Sequence, residues 1–219
     1  MSVNKEGYKN ILSDLRAGTT LVAVSKTKSI EEIQELYDLG QRHFGENYVQ
    51  ELVEKYNLLP KDINWHFIGH LQSNKVKLIS PFISLIQSVD SIKLLKEINK
   101  QAEKNGRVIN CLLQVYIARE ETKFGLDEQE LESIFNSSEL EYLKNVNISG
   151  LMGMASFTNA EADLRKEFSF LRLLFDKYAE HHQLNILSMG MSSDYLFAIE
   201  EGSTMVRVGS LLFGERKNP

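Results

Sequence analysis

Cysteine occurs once in the 219 residues, as Cys111, so the chain can close no internal disulfide and build no thiolate-based zinc site. Cys111 sits in the strand-like run Val108-Ile109-Asn110-Cys111-Leu112-Leu113. That setting predicts a buried, inert thiol, because reactive thiols are partly exposed in electropositive surroundings. There are three prolines, and no Gly/Pro/Ser-rich linker or low-complexity stretch marks a domain boundary. No apolar run approaches the roughly 18 residues of a membrane span. The opening Met1-Ser2-Val3-Asn4-Lys5-Glu6-Gly7 lacks the apolar core of a signal peptide. Positive charge is also scarce: 25 Lys and Arg stand against 30 Asp and Glu, for a net charge of −5. No basic run overrides that balance, so phosphate backbones and anionic membranes exert no general attraction. We therefore expect a soluble cytoplasmic protein with neither nucleic-acid nor membrane partners.

What is present is 42% hydrophobic content, ample for a core, in a strand-then-helix pattern that begins near residue 20. Leu21-Val22-Ala23-Val24 reads as a buried strand ending at Lys26. Ser29-Ile30-Glu31-Glu32 then has capping-box spacing, Ile30, Ile33, Leu36 and Tyr37 recur at helical intervals, and Gly40 is placed to end the helix. Further units follow. His43-Phe44-Gly45 precedes a helix over 47–56, and a strand over 63–68 precedes one over 73–80. The strand over 82–89 leads to an Asp90-capped helix that carries Ile92, Leu95 and Ile98 along one face and has Gly106 near its end. A fifth strand, 107–117, leads through Lys123-Phe124-Gly125 to a helix opened by Asp127 and Glu130. A sixth, 146–152, is followed by the longest helical pattern, 160–181. A seventh, 184–189, precedes a helix over 194–201. The eighth, 204–208, closes on a helical turn over 210–213.

Eight such units predict a single-domain parallel (β/α)8 TIM barrel over residues 1–219, with a helix in the leading 1–18 that caps it or packs beside it. A doubly wound sheet would need no eighth unit, and no G-x-G-x-x-G follows the first strand.

In a barrel the carboxyl ends of all strands face one mouth, so Lys26 gains distant neighbours. These are Gly45-Glu46-Asn47, Gly69-His70-Leu71-Gln72, Met152-Gly153-Met154, Ser188 to Asp194, and Arg207-Val208-Gly209-Ser210. A strand-end lysine is ordinarily solvated. Its other reading is an amine that forms imines with carbonyls, which requires partial desolvation. The loops after strands seven and eight are the recurrent phosphate-gripping corner of this architecture. There Gly209 admits close backbone approach, and Ser192, Ser193 and Ser210 add hydroxyls. A phosphate held at that corner with its aldehyde at Lys26, and a ring nitrogen within reach of Arg207, has the layout of pyridoxal 5′-phosphate (PLP).

These residues match a family. The chain resembles the pyridoxal phosphate homeostasis proteins, which look like the barrel domain of alanine racemase standing alone. The resemblance runs through Val24-Ser25-Lys26-Thr27, Phe44 to Glu51, Trp65 to Lys75, Gly150-Leu151-Met152-Gly153-Met154, Ser188 to Asp194 and Gly202 to Gly214. It implies Lys26 as the Schiff-base lysine and Arg207 as the arginine facing the pyridine nitrogen. It also implies Ser192, Gly209 and Ser210 as phosphate contacts, with Asn47 and Met191 near the ring.

A permanently charged donor leaves the ring nitrogen unprotonated and the ring a poor electron sink. Racemases of this kind add an opposing acid–base group from a second domain, and here the chain ends at Pro219 after the eighth unit. The resemblance therefore implies a carrier that holds PLP and passes it on within vitamin B6 homeostasis, without turnover. PLP-dependent apoenzymes are candidate recipients, and a monomer is expected, with a dimer as the alternative. The competing reading is a small amino-acid racemase using Tyr48, His70 or Tyr195 as the opposing acid. A metal-dependent hydrolase built on His66 and His70 lacks an H-E-x-x-H motif and a carboxylate cluster. The S-x-x-K string over 25–28 lacks the partner motifs of serine acyl-enzymes.

Other features read as structural. Phe168, Leu171, Leu174, Phe175 and Tyr178 form the buried stripe of the long helix. His181 and His182 sit at its negative dipole end. Glu120-Glu121 and Glu200-Glu201 are expected on solvated faces. His70 is left between cofactor contact and loop hydrogen bonding.

Overall fold

The computed structural model describes residues 3–119 and 124–214. Glu120, Glu121, Lys123 and the Pro219 end lie outside the described residues. Eight strands are present: β1 (Thr20–Val24), β2 (His43–Glu46), β3 (Asn64–Phe67), β4 (Leu85–Val89), β5 (Ile109–Val115), β6 (Val146–Gly153), β7 (Ile186–Ser188) and β8 (Met205–Val208). They form one closed parallel barrel in sequence order, with β1 pairing both β2 and β8. The helices are α1 (Lys5–Asp14), α2 (Ile30–Asp38), α3 (Val49–Leu58), α4 (Val76–Ile79), α5 (Ile92–Lys104), α6 (Glu128–Phe135), α7 (Glu161–His182), α8 (Tyr195–Glu200) and α9 (Ser210–Phe213). The order β1–α2–β2 through β8–α9 is the expected (β/α)8 alternation. Parallel strands in a barrel are covered on both faces, and β4 is buried at all five positions, the polar Gln87 and Ser88 included.

Two apolar layers follow from this closure. Val22, Leu85, Leu112, Met152 and Met205 meet inside the cylinder, and a larger shell, including Phe44, Trp65, Leu95 and Phe168, fills the space between strands and helices. The expected stripe of α7 is buried at Phe168, Leu171, Leu174, Phe175 and Tyr178, and His182 packs its ring 4.3 Å from that of Phe135. Cys111 is buried, and burial pushes its thiol upward. The leading helix lies beside α9 at its own start, where the Asn4 N–H donates to the Leu212 carbonyl at 2.8 Å.

Local chemistry sets the element ends, and here the structure corrects several expectations. Ser29 and Glu32 form the expected capping box, as do Asp127 and Glu130. Helix α5 is capped by Ser91, whose side chain accepts from the Leu94 N–H, and not by Asp90; the Asp90 carboxylate faces His70 instead, at 3.3 Å. The 73–80 segment is a 3₁₀ turn, Ser73–Lys75, running into the four-residue α4. Glu200 and Glu201 are not simply solvated, since both pair with Arg165. Strands β3, β4 and β7 begin one, three and two residues later than the apolar runs suggested, because Ile63, Ile83 and Leu184 are buried ahead of the first strand residue.

Candidate functional site

Lys26 leaves β1 half-buried at the carboxyl end of the barrel. The turn that follows is strained. Thr27 has φ of 64°, a left-handed conformation that costs a β-branched residue on the order of 1–3 kcal/mol. It persists because its surroundings fix it. The Thr27 N–H donates to Glu51 Oε1 at 2.6 Å, and the Lys28 N–H closes onto the Ser25 carbonyl at 3.0 Å.

A buried ion network holds that turn from beneath. Lys55 Nζ donates to the Ser25 carbonyl at 2.7 Å, to Glu46 Oε1 at 2.7 Å and to Glu51 Oε1 at 2.6 Å, while Ser25 Oγ donates to Glu46 Oε1 at 2.6 Å. Glu46 is fully buried. Desolvation pushes its carboxyl up to about 7 against the opposing pull of Lys55. Its second oxygen, Oε2, has no hydrogen-bond partner among the described residues, whereas Oε1 accepts from both Ser25 and Lys55, so a proton on this carboxyl belongs on Oε2.

The facing wall comes from the ends of β7 and β8. Gly190 turns with φ of 95°, and a Cβ there would lie 2.6 Å from that of Ala198, so only glycine lets α8 close in. The Met191 N–H donates to Asp194 Oδ1 at 2.5 Å. Ser192 Oγ accepts from the Gly209 N–H at 3.1 Å, tying the two loops together. A Cβ on Gly209 would sit 3.3 Å from the Val24 carbonyl. Arg207 is 3% exposed and donates from Nη1 to Ser188 Oγ at 2.6 Å and from Nη2 to the Gly153 carbonyl at 2.9 Å. Desolvation pushes its guanidinium down to about 10, opposed by the charge of Asp194, which leaves it cationic at neutral pH.

These walls enclose a cavity of about 460 Å³ lined by Val24, Lys26, Lys28, Phe157, Met191, Ser192, Ser193, Arg207, Gly209, Ser210, Leu211 and Gly214. Six of the seven residues singled out in the sequence, Lys26, Met191, Ser192, Arg207, Gly209 and Ser210, thus share one hollow. Asn47 does not line it; it lies in a separate depression with Tyr48, Phe67, His70 and Gln72, because β2 directs the chain into α3 at that point. Among the described residues the lining has three cationic side chains and three hydroxyls and no carboxylate, a donor set suited to an anion. Its size falls in the roughly 300–1,000 Å³ range of small-molecule sites.

The candidate opposing acids lie elsewhere. Tyr195 donates to Asp14 Oδ2 at 2.6 Å, and Tyr48 and His70 line the Asn47 depression, where His70 also stacks on Phe124 at 4.5 Å. His66 and His70 do not converge either, since His66 is buried inside the barrel while His70 is exposed. Sequence reasoning missed Lys28, Phe157 and Leu211 as lining, and the Glu46–Lys55 network. Only the Glu51/Lys55 i, i+4 spacing hinted at the latter.

The chain matches the alanine racemase N-terminal domain over residues 5–217. It is 44% identical over 200 residues to the pyridoxal phosphate homeostasis protein of Aquifex aeolicus (strain VF5), covering 90% of this chain and 87% of that one. The chain belongs to the pyridoxal phosphate homeostasis protein family. The Synechocystis member is 38% identical, covering 95% of this chain and 97% of its own. The solved structure of PipY from Synechococcus elongatus PCC7942 with PLP bound superposes with a TM-score of 0.87 at 37% identity, over 95% of this chain and 99% of that one. Alanine racemase of Clostridium difficile 630 shares the fold alone, at 16% identity and a TM-score of 0.77, and this chain spans 59% of its length.

Proposed function

We propose that this chain binds PLP in the Lys26–Arg207 cavity and acts as a cytoplasmic carrier in PLP homeostasis, passing the cofactor to apoenzymes without turning over a substrate of its own. The observation that carries the reading is the donor set. One hollow brings a half-buried amine, a buried guanidinium and three serine hydroxyls together.

The fit to the cofactor rests on that set and on Gly209, whose missing side chain leaves space beside Val24. When bound, the cofactor supplies an aldehyde that an amine can capture reversibly. Lys26 provides the amine, and the strained Thr27 turn with the Glu46–Lys55 network beneath it keeps that amine at the rim. The Ser192 and Ser210 hydroxyls would hold the phosphate beside Gly209, whose N–H donates to Ser192 Oγ and ties the two loops together, while Lys28, tied to the Phe213 carbonyl at 3.0 Å, adds positive charge on that side. Arg207 would meet the ring nitrogen as a donor that does not give up its proton at neutral pH. Met191, in the lining, would pack against the ring, whereas Asn47 lies in a separate depression. Carriage rather than racemisation is favoured because Tyr48, His70 and Tyr195 all lie outside the lining of the cavity.

The test is the absorbance spectrum of the full chain mixed with PLP, followed by borohydride reduction and peptide mass spectrometry. A visible band with the label fixed on Lys26, lost in Lys26→Ala, is expected. A colourless mixture, or label elsewhere with Lys26 unmodified, refutes the reading.

A further inference from the structure

Inside the barrel, four hydrogen bonds join five strands. Arg207 Nη1 on β8 donates to Ser188 Oγ on β7 at 2.6 Å. Ser188 Oγ donates to Gln87 Oε1 on β4 at 2.7 Å. Gln87 Nε2 meets His66 Nδ1 on β3 at 2.9 Å, and His66 Nε2 meets His43 Nδ1 on β2 at 2.9 Å. Ser188, Gln87, His66 and Arg207 are all at most 3% exposed. His43 and His66 line a second cavity, of about 510 Å³, with Thr20, Asn64, Asn185 and Thr204 from the amino ends of the strands. The run therefore leads from the mouth of the barrel to its floor.

Its direction follows from its first member. A guanidinium has no acceptor, so Ser188 must accept from Arg207, which leaves its one proton for Gln87 Oε1. The Gln87 amide then presents N–H groups to its other neighbours. Nε2 accordingly reaches both His66 Nδ1 and Met205 Sδ, the latter at 3.2 Å. His66 Nδ1 is thereby an acceptor, its proton sits on Nε2, and that proton is donated to His43 Nδ1. His43 in turn carries its proton on Nε2. Burial and the neighbouring His43 hold His66 well below the usual histidine range, at about 3, and burial lowers His43 as well, which agrees with two neutral rings.

We propose that this run is a one-way hydrogen-bond relay in which Ser188 and Gln87 are positioning residues for Arg207, so that the Arg207 charge at the mouth fixes the tautomers of His66 and His43 at the floor. The coupling is reciprocal by linkage: a change in the floor imidazoles alters how firmly the guanidinium is held. The relay's effect on cofactor rests on the proposed role of Arg207, but its tautomer pattern does not.

Histidine ¹⁵N NMR of the full chain without cofactor tests the relay alone. Both rings should be neutral with the proton on Nε2, and Ser188→Ala should convert His66 and His43 to tautomer mixtures although neither ring touches Ser188. A proton on Nδ1 of either ring in the unmodified chain, or unchanged ring resonances in Ser188→Ala, overturns it. Gln87→Leu provides a second break should Ser188→Ala not fold. With PLP loaded, Ser188→Ala should release cofactor roughly tenfold faster with a shifted absorbance maximum; an unchanged rate and spectrum would refute the positioning role. A chain that shows the tautomers but never binds PLP would instead indict the cofactor reading.

Discussion

Glu46 makes the stability of this barrel depend on pH in the sense opposite to most carboxylates. Its folded carboxyl is raised to about 7 from an ordinary 4.5, so between those values the native state holds a proton that the unfolded chain has released. Stability then falls as pH rises through this window and levels off above about 7. The difference of roughly 2.5 units at 1.36 kcal/mol each is about 3 kcal/mol, equivalent to roughly 6–12 °C in melting temperature for a chain of this size. Glu46→Gln keeps an acceptor for Lys55 and Ser25 while removing the titration. Urea unfolding of both proteins from pH 5 to pH 8 should show the parent losing about 3 kcal/mol more than the variant. Parallel profiles would refute the reasoning, as would a parent that gains stability relative to Glu46→Gln as pH rises, because the Lys55 pair would then outweigh desolvation.

Further outcomes follow from single contacts. A Cβ on Gly150 would lie 1.7 Å from the Ile186 carbonyl oxygen, so Gly150→Ala must part β6 from β7. We expect a loss of at least about 3 kcal/mol in chemical denaturation; a variant as stable as the parent would show that the strands yield freely. Gly209→Val should leave the fold intact by circular dichroism but weaken PLP binding at least about tenfold in titration, since its branches would enter the cradle beside Val24; unaltered affinity would remove Gly209 from the phosphate site. Cys111 should resist a thiol reagent in the native state and react only as the chain unfolds, so prompt stoichiometric labelling of folded protein would contradict its burial.

Most of the architecture was written in local pattern. The alternation of apolar runs with amphipathic helices, the capping boxes at Ser29 and Asp127 and the buried stripe of α7 all arise from neighbours a few residues apart, and such signals survive in a bare sequence. The cap of α5 was misread because Asp90 and Ser91 are both good caps, and the choice fell to His70, a residue from another loop that drew the Asp90 carboxylate to itself. Lys26, Arg207 and the serines of the last two loops were also legible, because barrel topology alone brings strand ends together. Tertiary closure decided the rest. Only the packed barrel shows that Asn47 turns into a different depression, that a β-branched Thr27 is forced into a left-handed turn above a buried Glu46–Lys55 pair, and that Gln87, His66 and His43 meet a chain of donors beginning at Arg207. Those contacts join residues separated by up to 101 positions, and their energetics depend on the exclusion of water, which no periodicity along a chain encodes.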